Sequence, residues 1–317
     1  MNERHYFQWH IIHRCNLHCS HCYQEDYDAV MQYDEMCRVL DSYEEFINAR
    51  GYEGQINLTG GEPLLHPSFW DLARNIRSRK MRLGVLTNGT LITNETAKKL
   101  ADLHPVFVQV SLDGSKKIHD CIRGSGAFDR TIEGIDFLKD NGVRVLVSFT
   151  AMKGNVSSFK KLARECNKHR VDKLWWDRVV TDDPAVYLTT NEFKHLSKVS
   201  HKLKRKYPFV SNNRSLQWIP DGQCSYQCNA GKNLLILLAN GDLMACRRLP
   251  FIIGNVRDSD SLSSIIRKSD IMKVLARPVF PDKCKTCIHL MRCQAGGRCI
   301  TYAQTGKLDI CDVNCYI

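Results

Sequence analysis

The sequence predicts an α/β protein. A partial (β/α)6 barrel spans residues 1–180, a linker with one basic helix spans 181–223, and a small cysteine-rich unit spans 224–317. Three observations lead there. Strand-like and helix-like segments alternate through the first part, which implies parallel βα units. Three cysteines crowd the loop after the first strand. From Cys224 onward the composition shifts to cysteine, glycine and short segments, too little to build much apolar core, so metal clusters would be its staples.

The strand candidates are 7–12, 55–58, 83–87, 106–112, 143–149 and 173–179. Amphipathic helical patterns lie between them at 33–49, 67–79, 94–103, 129–141 and 156–169. Asn94 and Asp129 read as N-caps, and Gly142 sits where a C-cap glycine belongs. The linker helix reads as 191–207. In the last unit, the apolar run 234–238, Asn240-Gly241 and 243–246 form a tight hairpin pattern.

With 317 residues, 43% hydrophobic and 25% charged, the chain has an ordinary soluble composition. No stretch approaches the ~20 apolar residues of a membrane span, and residues 1–10 hold no signal-peptide core. A cytoplasmic protein without a membrane partner is expected. Fifteen cysteines, an odd number, argue against a disulfide framework in a reducing compartment and for metal ligation. Cys37, Cys121 and Cys166 stand alone and read as small core or helix residues. The formal charge of +11 fits a solvated basic surface, and no basic stretch is interleaved with aromatics as a nucleic-acid binder would require.

The chemistry begins with Cys15, Cys19 and Cys22, spaced C-x3-C-x2-C. A structural zinc site wants four ligands in a closed tetrahedron. Three thiolates on a short loop suit an iron–sulfur cluster with one iron left open to bind a substrate or cofactor. The loop follows the first strand, where TIM-like barrels carry their sites. Gly60-Gly61-Glu62-Pro63 follows the second strand, Thr87-Asn88-Gly89 ends the third, and Ser111-Leu112-Asp113-Gly114 ends the fourth. His119-Asp120 and Arg123-Gly124 come next.

In this order, over roughly residues 5–180, the chain resembles the radical S-adenosylmethionine (radical SAM) superfamily, with the GGEP motif at 60–63. The resemblance implies a 4Fe–4S cluster on Cys15, Cys19 and Cys22 that chelates S-adenosylmethionine. It implies cofactor contacts from Gly60, Gly61, Glu62, Asn88, Ser111, Asp113 and Arg123. Glu62 would accept from the cationic amino group, the two glycines would allow close backbone approach, and Arg123 would meet the carboxylate. Each has a plainer reading, as a surface acid, a turn, a strand end or an ion pair. The position before the third cysteine, often aromatic, is His21, with Tyr23 after the cysteine.

Cys228, then Gly241 and Cys246, then Cys284, Cys287, Cys293, Cys299, Cys311 and Cys315 resemble the SPASM extension of that superfamily, which holds two auxiliary 4Fe–4S clusters. Five residues rather than three separate Cys293 from Cys299. The resemblance implies Cys224, Cys228, Cys246 and Cys299 for the first auxiliary cluster. It implies Cys284, Cys287, Cys293 and either Cys311 or Cys315 for the second. A pair of zinc sites is the competing reading, since C-x2-C also suits zinc.

The implied reaction is one-electron cleavage of S-adenosylmethionine to a 5′-deoxyadenosyl radical that abstracts hydrogen from an unactivated C–H bond. The auxiliary clusters would take an electron from the substrate radical or bind substrate. The resemblance points to an oxidoreductase that matures a peptide or protein, fed by a flavodoxin- or ferredoxin-like one-electron reductant. The chain starts almost at the barrel, so any leader recognition would need a separate leader-binding protein or a different surface. A small-molecule oxidoreductase of cofactor or haem-type biosynthesis is the second reading. A sulfatase maturase is disfavoured because Arg247 stands where those enzymes carry an aspartate. With Arg248, Arg247 would instead hold a carboxylate of an acidic peptide. A non-enzymatic electron carrier would need neither an open iron nor a GGEP loop. No side chain is assigned a catalytic role.

Overall fold

The computed structural model describes residues 3–24, 28–212, 228–258 and 261–316. Six β/α units open the chain. Strands β1 (Arg4–Ile12), β2 (Glu53–Gly60), β3 (Arg82–Thr87), β4 (Phe107–Ser111), β5 (Val145–Ala151) and β6 (Lys173–Arg178) pair in parallel, each with the next. Helices α1 (Tyr33–Asn48), α2 (Phe69–Ser78), α3 (Asn94–Asp102), α4 (Lys116–Arg123), α5 (Ala127–Asp140) and α6 (Phe159–Lys168) connect them. Each predicted strand and helix of this part is present.

A parallel sheet covered on both faces reads as continuous apolar runs; these strands alternate instead. Phe7, Trp9 and Ile11 are fully buried on the helix side, where Phe7 stacks on Tyr43 of α1 with centroids 4.6 Å apart. In β5, Val145, Val147, Phe149 and Ala151 are buried, while Leu146, Ser148 and Thr150 are only half-buried. Register puts Gln8 beside Asn57 and Ser111 beside Ser148, so the other face is polar. Only one face carries the helical core; the polar face lines the concave side of a partial barrel.

Local details depart from expectation. Asn94 opens α3 but does not cap it: Thr93 Oγ1 accepts from Thr96 N at 3.2 Å. Asp129 lies inside the first turn of α5 and pairs with Lys116 at 2.5 Å. Asp120 serves that end of the helix, accepting from Gly126 N (3.1 Å) and Phe128 N (2.8 Å). Gly142 has φ +74°, as a residue just past a helix should. Helix α4 was not expected; it is short, and only His119, Ile122 and Arg123 are buried along it. Cys37 lies half-buried in α1, Cys121 exposed in α4 and Cys166 buried in α6.

After β6 comes α7 (Thr190–Lys206), close to the expected helix, then β7 (Val210–Ser211), an unforeseen seventh parallel strand paired with β6. The expected hairpin is β8 (Leu234–Leu237) and β9 (Asp242–Met244), antiparallel around Asn240-Gly241. Its environment corrects the picture of a core-poor unit. β8 pairs in parallel with β1, and β10 (Ile252–Asn255) follows β9, making one ten-stranded sheet. Leu235, Leu237 and Leu243 thus join the main core. Four short helices complete the chain: α8 (Leu262–Lys268), α9 (Asp270–Ala276), α10 (Leu290–Cys293) and α11 (Arg298–Thr305). Among the described residues no helix is long and apolar enough to cross a membrane.

Candidate active site

The loop that leaves β1 carries Cys15, Cys19 and Cys22, and the end of β2 is docked against it. Gly61 N donates to Ile12 O (2.8 Å) and Glu62 N to Arg14 O (2.9 Å). A Cβ on Gly60, at φ +155°, would lie 2.2 Å from Ile12 O; on Gly61 it would lie 2.3 Å from Arg14 O. The close approach these glycines permit is therefore to the chain's own cysteine loop. Each thiol receives a donor. Leu17 N and Gln24 N reach Cys15 Sγ and Cys22 Sγ at 3.4 Å. Asn88 Nδ2 lies 3.8 Å from Cys15 Sγ, and Arg123 Nη1 lies 3.7 Å from Cys19 Sγ.

Two buried carboxylates flank the loop. Glu62 is fully buried and accepts from Thr87 Oγ1 (2.8 Å), Asn88 N (2.8 Å) and Leu64 N (3.3 Å). Burial pushes its carboxyl up to about 7 in spite of those donors. Asp113, also fully buried, accepts from Arg123 Nε (2.6 Å) and Thr150 N (2.8 Å), and His21 Nε2 lies 3.8 Å away. Burial alone would raise Asp113, but the Arg123 charge and then His21 outweigh it and hold the carboxyl below its ordinary value. Burial pushes the Cys15 thiol up to about 11, so a thiolate there needs a cationic partner such as iron.

Asn88 ties its own turn to the cysteine loop as well. Its side chain donates to Asn16 Oδ1 (2.9 Å) and accepts from Thr90 N (2.9 Å). Ser111 is half-buried at the end of β4. Two further contributors had no role assigned from the sequence. His119 Nδ1 accepts from Asp113 N (3.1 Å), while its buried Nε2 has no partner. Asn155 holds the end of β5, donating to Thr150 O (2.8 Å) and accepting from Met152 N (2.9 Å).

The C-terminal cysteines form two groups. Cys246 is pushed up to about 12 by burial, then by the neighbouring thiols of Cys299 and Cys228. Cys224 lies outside the described residues. Cys284, Cys287, Cys293, Cys311 and Cys315 line one pocket with His289, Leu290, Ala295 and Asp312. Both candidates for the last ligand, Cys311 and Cys315, therefore face one space. Among the described residues no three His, Cys, Asp or Glu side chains converge on a single-ion position. Five thiols around one such cavity suit a multi-iron cluster.

One contact joins the two cysteine regions. The Arg247 guanidinium lies 4.4 Å from the Tyr23 ring centroid, and Nη2 donates to Tyr23 O (3.4 Å). Arg248 is engaged elsewhere: it donates to Asp177 Oδ2 (2.6 Å) and to Arg178 O.

Comparison with known proteins agrees with this arrangement. The radical SAM superfamily model matches residues 9–166, and the SPASM iron–sulfur cluster-binding domain matches 228–288. The chain is a radical SAM protein with a SPASM domain. It is accordingly an enzyme that carries 4Fe–4S clusters and uses S-adenosylmethionine. It is similar to the mycofactocin maturase MftC of Mycobacterium tuberculosis, 26% identical over 336 residues, covering 97% of this chain and 81% of MftC. It is similar to the AdoMet-dependent heme synthase of Methanosarcina barkeri, 26% identical over 329 residues, covering 94% and 92%. The fold matches that of Streptococcus suis SuiB bound to its precursor peptide SuiA, with a TM-score of 0.76 at 14% identity over 100% of this chain and 77% of SuiB.

Proposed function

We propose that this radical SAM enzyme oxidatively matures a ribosomally made peptide. The observation that carries the reading is the likeness to the maturase MftC across nearly the whole chain. When bound, the cluster and S-adenosylmethionine supply a 5′-deoxyadenosyl radical that abstracts hydrogen.

In this reading Cys15, Cys19 and Cys22 hold the cluster that binds the cofactor. Glu62 faces the cofactor's amino group with the one acceptor position its three protein donors leave. Gly60 and Gly61 bring the GGEP loop to the cysteine loop. Asn88, Ser111, Asp113 and Arg123 complete the binding surface, with Asp113 orienting Arg123. Cys224, Cys228, Cys246 and Cys299 hold one auxiliary cluster. Cys284, Cys287 and Cys293 hold the other with Cys311 or Cys315. We take residues 1–180 as the catalytic core and 224–317 as the auxiliary unit, in a cytoplasmic protein served by an external one-electron reductant.

The heme synthase likeness favours a second reading, oxidation of a small molecule. The Asp177 pairing withdraws Arg248 from substrate binding and leaves Arg247, stacked on Tyr23, as the candidate substrate contact. The deciding experiment incubates reduced enzyme and S-adenosylmethionine with the peptide encoded beside its gene. Loss of the mass of two hydrogens with 5′-deoxyadenosine formation supports maturation. Turnover with small metabolites and never with peptides supports the second reading.

A further inference from the structure

We infer that the Arg248–Asp177 ion pair sets the reduction potential of the auxiliary cluster at Cys228, Cys246 and Cys299, and that the Arg178–Asp312 pair fixes it in place. The inference rests on the ligand assignment proposed above.

Strand β6 ends in Asp177 and Arg178, whose side chains leave opposite faces of the sheet. Asp177 takes Arg248, two residues beyond Cys246. Arg178 turns the other way and forks onto Asp312, with both contacts at 2.7 Å, and onto Asn314 Oδ1 at 2.9 Å. Asp312 also accepts from Gly297 N (2.8 Å), in the loop between Cys293 and Cys299. A Cβ on Gly297 would lie 2.8 Å from Arg178 Nη2, so the loop closes directly onto the fork. Arg248 ties the two pairs together by donating to the Arg178 carbonyl. The strand end is thereby locked to the turn that leads into α11, the helix that carries Cys299.

A cluster held by thiolates is anionic and gains a further negative charge on reduction. A fixed guanidinium near it favours the reduced form, and a fixed carboxylate opposes it. Arg248 lies two residues beyond Cys246, and its bonds to Asp177 Oδ2 and the Arg178 carbonyl hold both charges at the strand end that the Arg178–Asp312 fork fixes to the turn before Cys299. Whatever the balance in the intact pair, the sign of each substitution is set. Losing the guanidinium leaves Asp177 unopposed and drives the potential down. Losing the carboxylate leaves Arg248 unopposed and drives it up. A scaffold role would lower cluster content, or move both variants the same way.

The test uses the full chain with Cys15, Cys19 and Cys22 replaced by alanine, reconstituted with iron and sulfide, so that the auxiliary clusters are read alone. Redox titration followed by electron paramagnetic resonance should show Arg248→Gln moving one of the two auxiliary waves negative. A tenfold change in the reduction equilibrium is expected, about 59 mV for one electron. Asp177→Asn should move the same wave positive, and Arg248→Lys should stay near the parent. If Arg248→Gln loses its iron, Asp177→Asn and Arg248→Lys still decide. An unmoved wave, or shifts of the same sign, overturns the inference while leaving the ligand assignment standing. Absence of auxiliary iron in the parent overturns the assignment, and the inference with it.

Discussion

The cysteine loop at 15–22 and the cysteines at 228–315 reach their arrangement by different routes. In the first, the three thiols share one short loop. Neighbouring strand ends hold that loop through backbone hydrogen bonds, Gly61 N to Ile12 O and Glu62 N to Arg14 O. In the second, thiols come from segments far apart, and the lock is made of charged side chains. Arg178 meets Asp312 across 134 residues of chain. The first design supplies three thiols, which in the proposed reading leave one iron open to the cofactor. The second surrounds a cavity with more thiols than one cluster uses. In the proposed reading the first region serves cofactor chemistry, and full thiolate ligation in the second favours electron transfer.

The largest effect should come from separating the two regions. Replacing Cys15, Cys19 and Cys22 together with alanine should abolish 5′-deoxyadenosine formation yet leave about eight irons per chain, since the other thiols are untouched. Cofactor cleavage retained in that variant would place the chemistry elsewhere. The buried ion pairs come next. Asp113→Asn strands the Arg123 charge in the first region, and Asp312→Asn strands Arg178 in the second. Each should cost about 3–5 kcal/mol in denaturant unfolding, because a buried charge loses its partner. Iron loss should follow the region, cofactor-site iron for Asp113→Asn and auxiliary iron for Asp312→Asn. Equal iron loss from both regions in either variant would erase the distinction.

Much of the first region is legible in sequence because its signals are local. C-x3-C-x2-C, GGEP and Asn88 lie at successive strand ends, and alternation fixes the strands. The missed parts depend on contacts that spacing does not encode. Helix α4 is too short to show a period. β8 reads as half of an isolated hairpin, but its parallel partner is β1, more than 220 residues away, and that pairing brings Leu235 and Leu237 into the main core. Asp312 and Asn314 look like ordinary polar residues between two cysteines until Arg178 reaches them. Arg248, read beside Arg247 as a substrate contact, is already paired with Asp177.

The smallest effect concerns Glu62. Its carboxyl, raised to about 7 from 4.5 by burial, is largely neutral below pH 6 and ionised above pH 8. In the cofactor-free protein, folding therefore opposes ionisation, a penalty that grows as pH rises from 4.5 through 7. An ionised carboxylate accepts from the cofactor's amino N–H groups better than a neutral one, so affinity for S-adenosylmethionine should rise from pH 6 to pH 8. Glu62→Gln should bind more weakly by about 1.5–3 kcal/mol and lose most of that pH dependence. Anaerobic calorimetry at the two pH values checks it. A wild type whose affinity is flat with pH removes Glu62 from the cofactor's amino group.

The account as a whole stands on what the thiols hold. Protein purified without oxygen and reconstituted with iron and sulfide should carry about twelve irons per chain, as three clusters of four, with little zinc. About four irons would confine cluster chemistry to Cys15, Cys19 and Cys22. Stoichiometric zinc with little iron, even after reconstitution, would contradict the central claim that both cysteine regions are iron–sulfur sites.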